Sequence, residues 1–77
     1  MVEVNVYSTT WCPWCKKAKE YLKENEIPFK DINVENDSAA AEEMVKKSGQ
    51  SGVPVIDIDG KIIIGFDKEA IRKALKL

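Results

Sequence analysis

Along the chain the spacing of apolar positions switches between two residues and three or four, and each switch marks a change of element. In Val2–Tyr7 the valines Val2, Val4 and Val6 recur at every second position, and two of the three residues between them are polar. That alternation predicts a strand. From Pro13 to about Asn25 the residues Ala18, Tyr21 and Leu22 fall at helical spacing among lysines and glutamates. Pro13 suits the first helical position, where a missing N–H costs nothing. Pro28 closes this region, because it pushes Ile27 out of the helical basin. Phe29–Val34 then puts Phe29 and Asp31 on one side and Lys30, Ile32 and Val34 on the other, a second strand.

Asn36, Asp37 and Ser38 supply N-cap candidates for a helix over Ala39–Lys47. Its Glu42 and Glu43 come early and its Lys46 and Lys47 late, an order that complements the helix dipole. Gly49 is a suitable stop. Asp59-Gly60 between two apolar runs predicts a hairpin pairing Val55–Ile58 with Lys61–Ile64. Asp67 caps a last helix whose Ala70, Ile71, Ala74 and Leu75 form one stripe. The order is βαβαββα. The first strand, helix and strand make a right-handed parallel pair, and the hairpin adds two antiparallel strands. The expected class is therefore α/β, a four-stranded mixed sheet flanked by three helices on both faces.

With 77 residues the chain fits a single domain, 1–77. Its 12 basic and 13 acidic residues leave a formal charge of −1, which argues against nucleic acid as a partner. No apolar run approaches the roughly 20 residues that a membrane span needs. The first residues carry Glu3 and lack the basic start and apolar stretch of a signal peptide. These features predict a soluble, cytoplasmic protein that acts as a monomer without a membrane.

The cysteine pattern turns this outline into chemistry. The chain holds two cysteines, Cys12 and Cys15, and no histidine. A two-residue spacing closes too short a loop to serve as a stabilising staple. In a reducing compartment a CxxC after the first strand of a βαβ unit reads as redox-active or metal-binding. If Cys12 is the N-cap, its sulfur faces the free N–H groups of the first turn, those of Trp14 and Cys15, which favour a thiolate. Lys16, Lys17 and Lys19 add positive charge nearby. Cys12 is then the nucleophile that attacks a disulfide. Cys15, one turn along and less exposed, resolves the mixed disulfide. Pro13 stiffens the loop between them. The competing chemistry is a metal or iron–sulfur site. Two sulfurs cannot complete it within one chain, so it needs a thiolate-bridged dimer.

Three segments also carry a family resemblance: YSTTWCPWC (Tyr7–Cys15), GVP (Gly52–Pro54) and GFD (Gly65–Asp67). In that order, over nearly the whole chain, they resemble a glutaredoxin. The resemblance implies a thioredoxin fold and thiol–disulfide oxidoreductase activity on protein or glutathione mixed disulfides. It implies no bound cofactor, with glutathione as the reductant. It also implies a cis Val53–Pro54 bond beside the thiols, with the Val53 backbone free to pair with an extended substrate. On the residues alone, Pro54 reads as a trans proline starting an edge strand, since cis bonds are the minority even before proline, and it is the resemblance that reverses this. Trp14 is expected to be exposed and to touch substrate, and Trp11 to be half-buried. Gly65, Phe66 and Asp67 complete the implied substrate site. Asp67 serves as an N-cap and, by the resemblance, holds the ammonium of glutathione.

The sequence departs from glutathione-using members at two positions. Thr9 stands where many carry a lysine for a glutathione carboxylate. Phe66 follows Gly65 where many have a second glycine. Phe66 is similar to redoxins that thioredoxin reductase recharges and that donate electrons to ribonucleotide reductase. Those redoxins usually carry a different pair between their cysteines.

Overall fold

The computed structural model describes residues 3–76, so the part of the first expected strand at Val2 lies outside the described residues. The elements are β1 (Val4–Ser8), α1 (Pro13–Glu24), β2 (Lys30–Asn33), α2 (Ser38–Ser48), β3 (Val55–Ile58), β4 (Lys61–Ile64) and α3 (Lys68–Leu75). They form one four-stranded sheet in the order β2-β1-β3-β4. β1 runs parallel to β2 and antiparallel to β3, and β3 and β4 form the hairpin. The hairpin turn takes positive φ at both central residues, 52° at Asp59 and 94° at Gly60. This is what Asp-Gly supplies most readily.

Period-two alternation sorts the strand residues onto two faces. Val4, Val6, Ile56, Ile58 and Ile63 pack on one face with Ala18 and Leu22 of α1 and Ile71 of α3. Phe29, Tyr21 and Phe66 close the margin of that layer. Tyr7 and Val55 pack on the other face with Met44 of α2, joined by Ile32, Val34, Val53 and Ile62. β3 lies inside the sheet and all four of its residues are buried.

One buried residue of β3 is charged. Asp57 lies on the α2 face and is 7% exposed. Its Oδ2 accepts from Lys47 Nζ at 2.9 Å, and its Oδ1 accepts from the Gly60 amide at 2.9 Å. Lys47 also donates to the Tyr7 hydroxyl at 2.9 Å, which donates to Glu43 Oε1 at 3.0 Å. The Tyr7 hydroxyl, Asp57 and Glu43 together hold the Lys47 ammonium above its usual range. Burial raises the Tyr7 phenol. This network ties α2 to the two central strands through atoms that apolar packing could not satisfy.

Lys47→Met leaves the Asp57 carboxylate buried without its cation, and the cost of orphaning such a group is about 2 kcal/mol. Urea unfolding followed by circular dichroism should show a lower midpoint with an unchanged slope. Lys46→Met, on the exposed side of the same helix, should leave the midpoint in place.

Candidate active site

The sheet register brings three separated segments to one end of β1. Tyr7 pairs with Val55, so Val53-Pro54, just ahead of β3, lies level with the chain leaving β1. Val55 pairs in turn with Ile64, which places the Gly65–Asp67 turn beside Pro54. The Gly65 amide donates to the Pro54 carbonyl at 2.8 Å. The Val53–Pro54 bond is cis, as the resemblance implied, and Pro54 is fully buried.

Cys12 is the N-cap of α1, with extended backbone (φ −86°, ψ 112°) and Pro13 following at the start of the helix. Its Sγ accepts from the Cys15 amide at 3.2 Å. The donor is thus the Cys15 amide rather than that of Trp14. The Cys12 thiol also points to the Val53 carbonyl, with the sulfur 3.9 Å from the oxygen. Both cysteines are free thiols here. Cys12 is 7% exposed, whereas Cys15 is 0% exposed and faces the sheet one turn below. Burial pushes the Cys15 thiol up to about 12, and its hydrogen bond with Cys12 acts in the same direction. The Thr9 backbone and the Lys19 ammonium oppose this shift. The two thiols therefore differ in kind: one edges to the surface at a helix terminus, and the other is held neutral inside.

The surroundings bear out some expectations and correct one. Trp14 is exposed as expected, at 55%, and Lys17 Nζ lies 4.6 Å from the centre of its ring. Trp11 was expected to be half-buried but is 69% exposed. It sits in the turn between β1 and α1, where Thr10 is tied to Glu35 by its amide (3.2 Å) and its hydroxyl (2.7 Å), and that turn carries the indole outward. Phe66 is part-buried. Its ring meets Tyr21 edge to face, with centroids 6.1 Å apart. Lys68 Nζ lies 5.4 Å from the Tyr21 ring centre. Asp67 caps α3, its Oδ1 accepting from the Ala70 amide at 3.1 Å.

Two features escaped the sequence reading. The Thr9 hydroxyl is buried and has no hydrogen-bond partner in the structure. Asp31 of β2 binds Lys19 of α1 at 3.0 Å and the Ser8 hydroxyl at 2.8 Å. The alternation of Phe29 and Asp31 on one strand face was the available signal for the second, since it puts Asp31 under α1. Nothing in the spacing singles out Ser8. Among the described residues no group of three or more histidine, cysteine, aspartate or glutamate side chains is placed to hold a metal ion. No helix among them is long and apolar enough to cross a membrane.

The glutaredoxin family model matches residues 4–63, which takes in both thiols and the Val53-Pro54 segment. The chain belongs to the glutaredoxin family. A glutaredoxin-like 8.6 kDa protein from the rubredoxin operon of Clostridium pasteurianum is 56% identical, over 95% of this chain and 97% of that one. Glutaredoxin 3 of Escherichia coli is 37% identical, over 87% of this chain and 81% of its own. The glutaredoxin-like protein NrdH of Lactococcus lactis is 34% identical, over 91% and 96%. Among solved structures, a variant of the thioredoxin-like protein BC3987 superposes with a TM-score of 0.91 at 30% identity, covering 96% of this chain and 95% of that one. The fold of this glutaredoxin-family protein is thus the thioredoxin fold, with three helices around the mixed sheet.

The unequal burial of the thiols sets their reactivity. At pH 7, limiting iodoacetamide should alkylate Cys12 and leave Cys15 unmodified in the native protein, as peptide mass mapping will read. Cys15 should react once the chain is unfolded in denaturant. Stability drawn from keeping Cys15 protonated is intact below the free-thiol value of about 8.5 and is lost as pH rises toward about 12.

Proposed function

We propose that the chain is a dithiol oxidoreductase that reduces protein or glutathione mixed disulfides, with Cys12 attacking and Cys15 resolving. The observation that carries this reading is the N-cap geometry: Cys12 Sγ takes the Cys15 amide hydrogen bond at 3.2 Å while the Cys15 side chain is buried directly behind it. The Cys12 thiolate attacks one sulfur of a substrate disulfide, forms the mixed disulfide and expels the other sulfur as a thiolate. Cys15 gives up its proton to solvent and attacks the Cys12 sulfur. The Cys12–Cys15 disulfide forms and the second substrate thiolate leaves. Two electrons have passed to the substrate, and a reductant must return them.

Substrate binds across the Cys12 end of the sheet. The Val53 backbone lies beside Cys12 and pairs with an extended segment in the manner of an added strand. Pro13 fixes the loop, Trp14 covers one side of the bound segment, and the Gly65–Asp67 turn bounds the other. Glutathione, held in part by Asp67 at the α3 terminus, is the reductant in this reading. No resident cofactor is required, and the protein works as a cytoplasmic monomer.

A second electron source is supported by two observations. Thr9 offers a buried hydroxyl where glutathione-using members offer a cation, and Phe66 packs its ring on Tyr21. Both favour recharging by thioredoxin reductase, with ribonucleotide reductase as the electron acceptor. The relatives are compatible with either source, since they include proteins named glutaredoxin 3 and NrdH.

The test follows NADPH loss with oxidised protein in two mixtures: glutathione with glutathione reductase, and thioredoxin reductase alone. Turnover with glutathione supports the first reading. Turnover only with thioredoxin reductase moves the protein to the second. Cys12→Ser should abolish turnover in both, and a bound stoichiometric metal with a dimer mass would replace both readings with a bridged carrier.

A further inference from the structure

A resolving thiol that is buried and neutral needs help at the moment it must become a nucleophile. Three polar groups from three different elements, Lys19, Asp31 and Ser8, are linked on the α1 side of the sheet. Cys15, Ala18 and Leu22 form the buried stripe of α1, and Lys19 lies one turn from Cys15 on the same side. Lys19 does not float in solvent, for its side chain is 23% exposed and its Nζ lies 3.0 Å from Asp31 Oδ2. Asp31 is fixed in turn by the Ser8 hydroxyl, which donates to Oδ1 at 2.8 Å. Ser8 is 2% exposed and ends β1, immediately before Thr9.

We propose that Lys19, pinned over the sheet by Asp31 and Ser8, is a positioning residue for the second step of the exchange: it stabilises the Cys15 thiolate that attacks the Cys12 mixed disulfide. This rests on the dithiol reading above. The neighbouring lysines are not so placed. Lys16 and Lys17 are both exposed, Lys17 against the Trp14 ring at the surface. The charged and titratable groups around Cys15 are Cys12 at the N-cap, Lys19 from α1 and, through Lys19, Asp31 from β2. Lys23 acts on Asp31 from one turn further along. The Thr9 backbone adds a hydrogen bond, and the Val53-Pro54 segment brings no charge.

The directions of the shifts agree with this geometry. Burial raises the Asp31 carboxyl, but the hydrogen bonds from Lys19 and Ser8 outweigh it, so the group is held below the ordinary range and stays ionised. An ionised Asp31 keeps Lys19 in place through the working pH range. The holder therefore needs no conformational change between the two steps, and a preorganised charge loses less on use than a mobile one.

Ellman's reagent separates the two steps in one trace. Equimolar reagent added to fully reduced protein reacts first with Cys12. That forms the Cys12–thionitrobenzoate disulfide and releases one thionitrobenzoate. Cys15 then attacks the Cys12 sulfur, closes the intramolecular disulfide and releases the second. Lys19→Gln should slow the second release about three- to tenfold, the scale of removing one nearby charge in a part-buried site. The rise of that rate with pH should move to higher pH, and the first release should change less than the second. Lys19→Arg should restore the wild-type profile, and Lys46→Gln, on α2, should have no effect. An unchanged second phase in Lys19→Gln, or an equal slowing of both phases, overturns the proposal while leaving the dithiol reading standing. A wild-type protein that releases only one equivalent, or a Cys15→Ser variant that still releases two, overturns the dithiol reading and this proposal with it.

Discussion

The structure depends on where α1 begins. All three helices start in the same way, with a side chain that accepts from the amide three residues on. Asp37 caps α2 through Ala40, Asp67 caps α3 through Ala70, and Cys12 caps α1 through Cys15. Two of the acceptors are carboxylate oxygens and the third is a sulfur. A neutral thiol is a poor acceptor, so Cys12 is the weakest cap of the three for as long as it stays protonated. As a thiolate it becomes a charged acceptor at the positive end of the helix, and the cap improves. If Cys12 ionises, completing α1 and stabilising its thiolate are thus one interaction. Pro13 helps both ends of it by presetting the first helical residue without asking for a donor.

That arrangement requires a frame that holds the end of β1 and the start of α1 in place. Two polar networks supply it from opposite faces of the sheet. On the α2 face Lys47 joins Asp57 of β3, Tyr7 of β1 and Glu43 of its own helix. On the α1 face Lys19 joins Asp31 of β2, which takes the Ser8 hydroxyl of β1. Each uses one lysine to tie a helix to the sheet, and both meet β1 within its last two residues, Tyr7 and Ser8. The strand that leads into the turn before Cys12 is therefore clamped from both sides just before it leaves the sheet. The apolar layers hold the helices on, but they are not directional. The lysine networks fix register, because a slip of one residue would turn Asp31 or Asp57 to the wrong face.

Much of this was legible in the residues. The switches of apolar period gave β1, α1, β2 and α3, the cap candidates Asn36–Ser38 with the charge order gave α2, and Asp59-Gly60 gave the hairpin, local chemistry that tertiary packing did not disturb. Cys12 as an N-cap followed from proline at the next position. What stayed hidden depended on side chains meeting across elements. The carboxylates Asp31 and Asp57 that hold Lys19 and Lys47 to the sheet lie 12 and 10 residues away, beyond any local rule, and locally Lys19 reads only as charge near the thiols and Lys47 as a match to the helix dipole. Trp11 went wrong for the same reason. A tryptophan next to an active-site cysteine suggests half-burial, but the direction of its ring is set by a turn anchored to Glu35, a residue 25 positions away from Thr10.

The lysines around the two cysteines differ in how each is held. Lys17 lies against Trp14, Lys68 against Tyr21, and Lys19 is paired with Asp31. Each has a partner that limits its motion, and only one partner carries a full opposite charge. A cation over an aromatic face keeps its charge while losing freedom, so its field remains available to an anion nearby. A cation paired with a carboxylate is partly neutralised at long range, and it acts chiefly on groups that lie nearer to it than to the carboxylate. The outer lysines thus keep their charge at the surface. The inner one acts over one helical turn, on the thiol that the substrate never reaches.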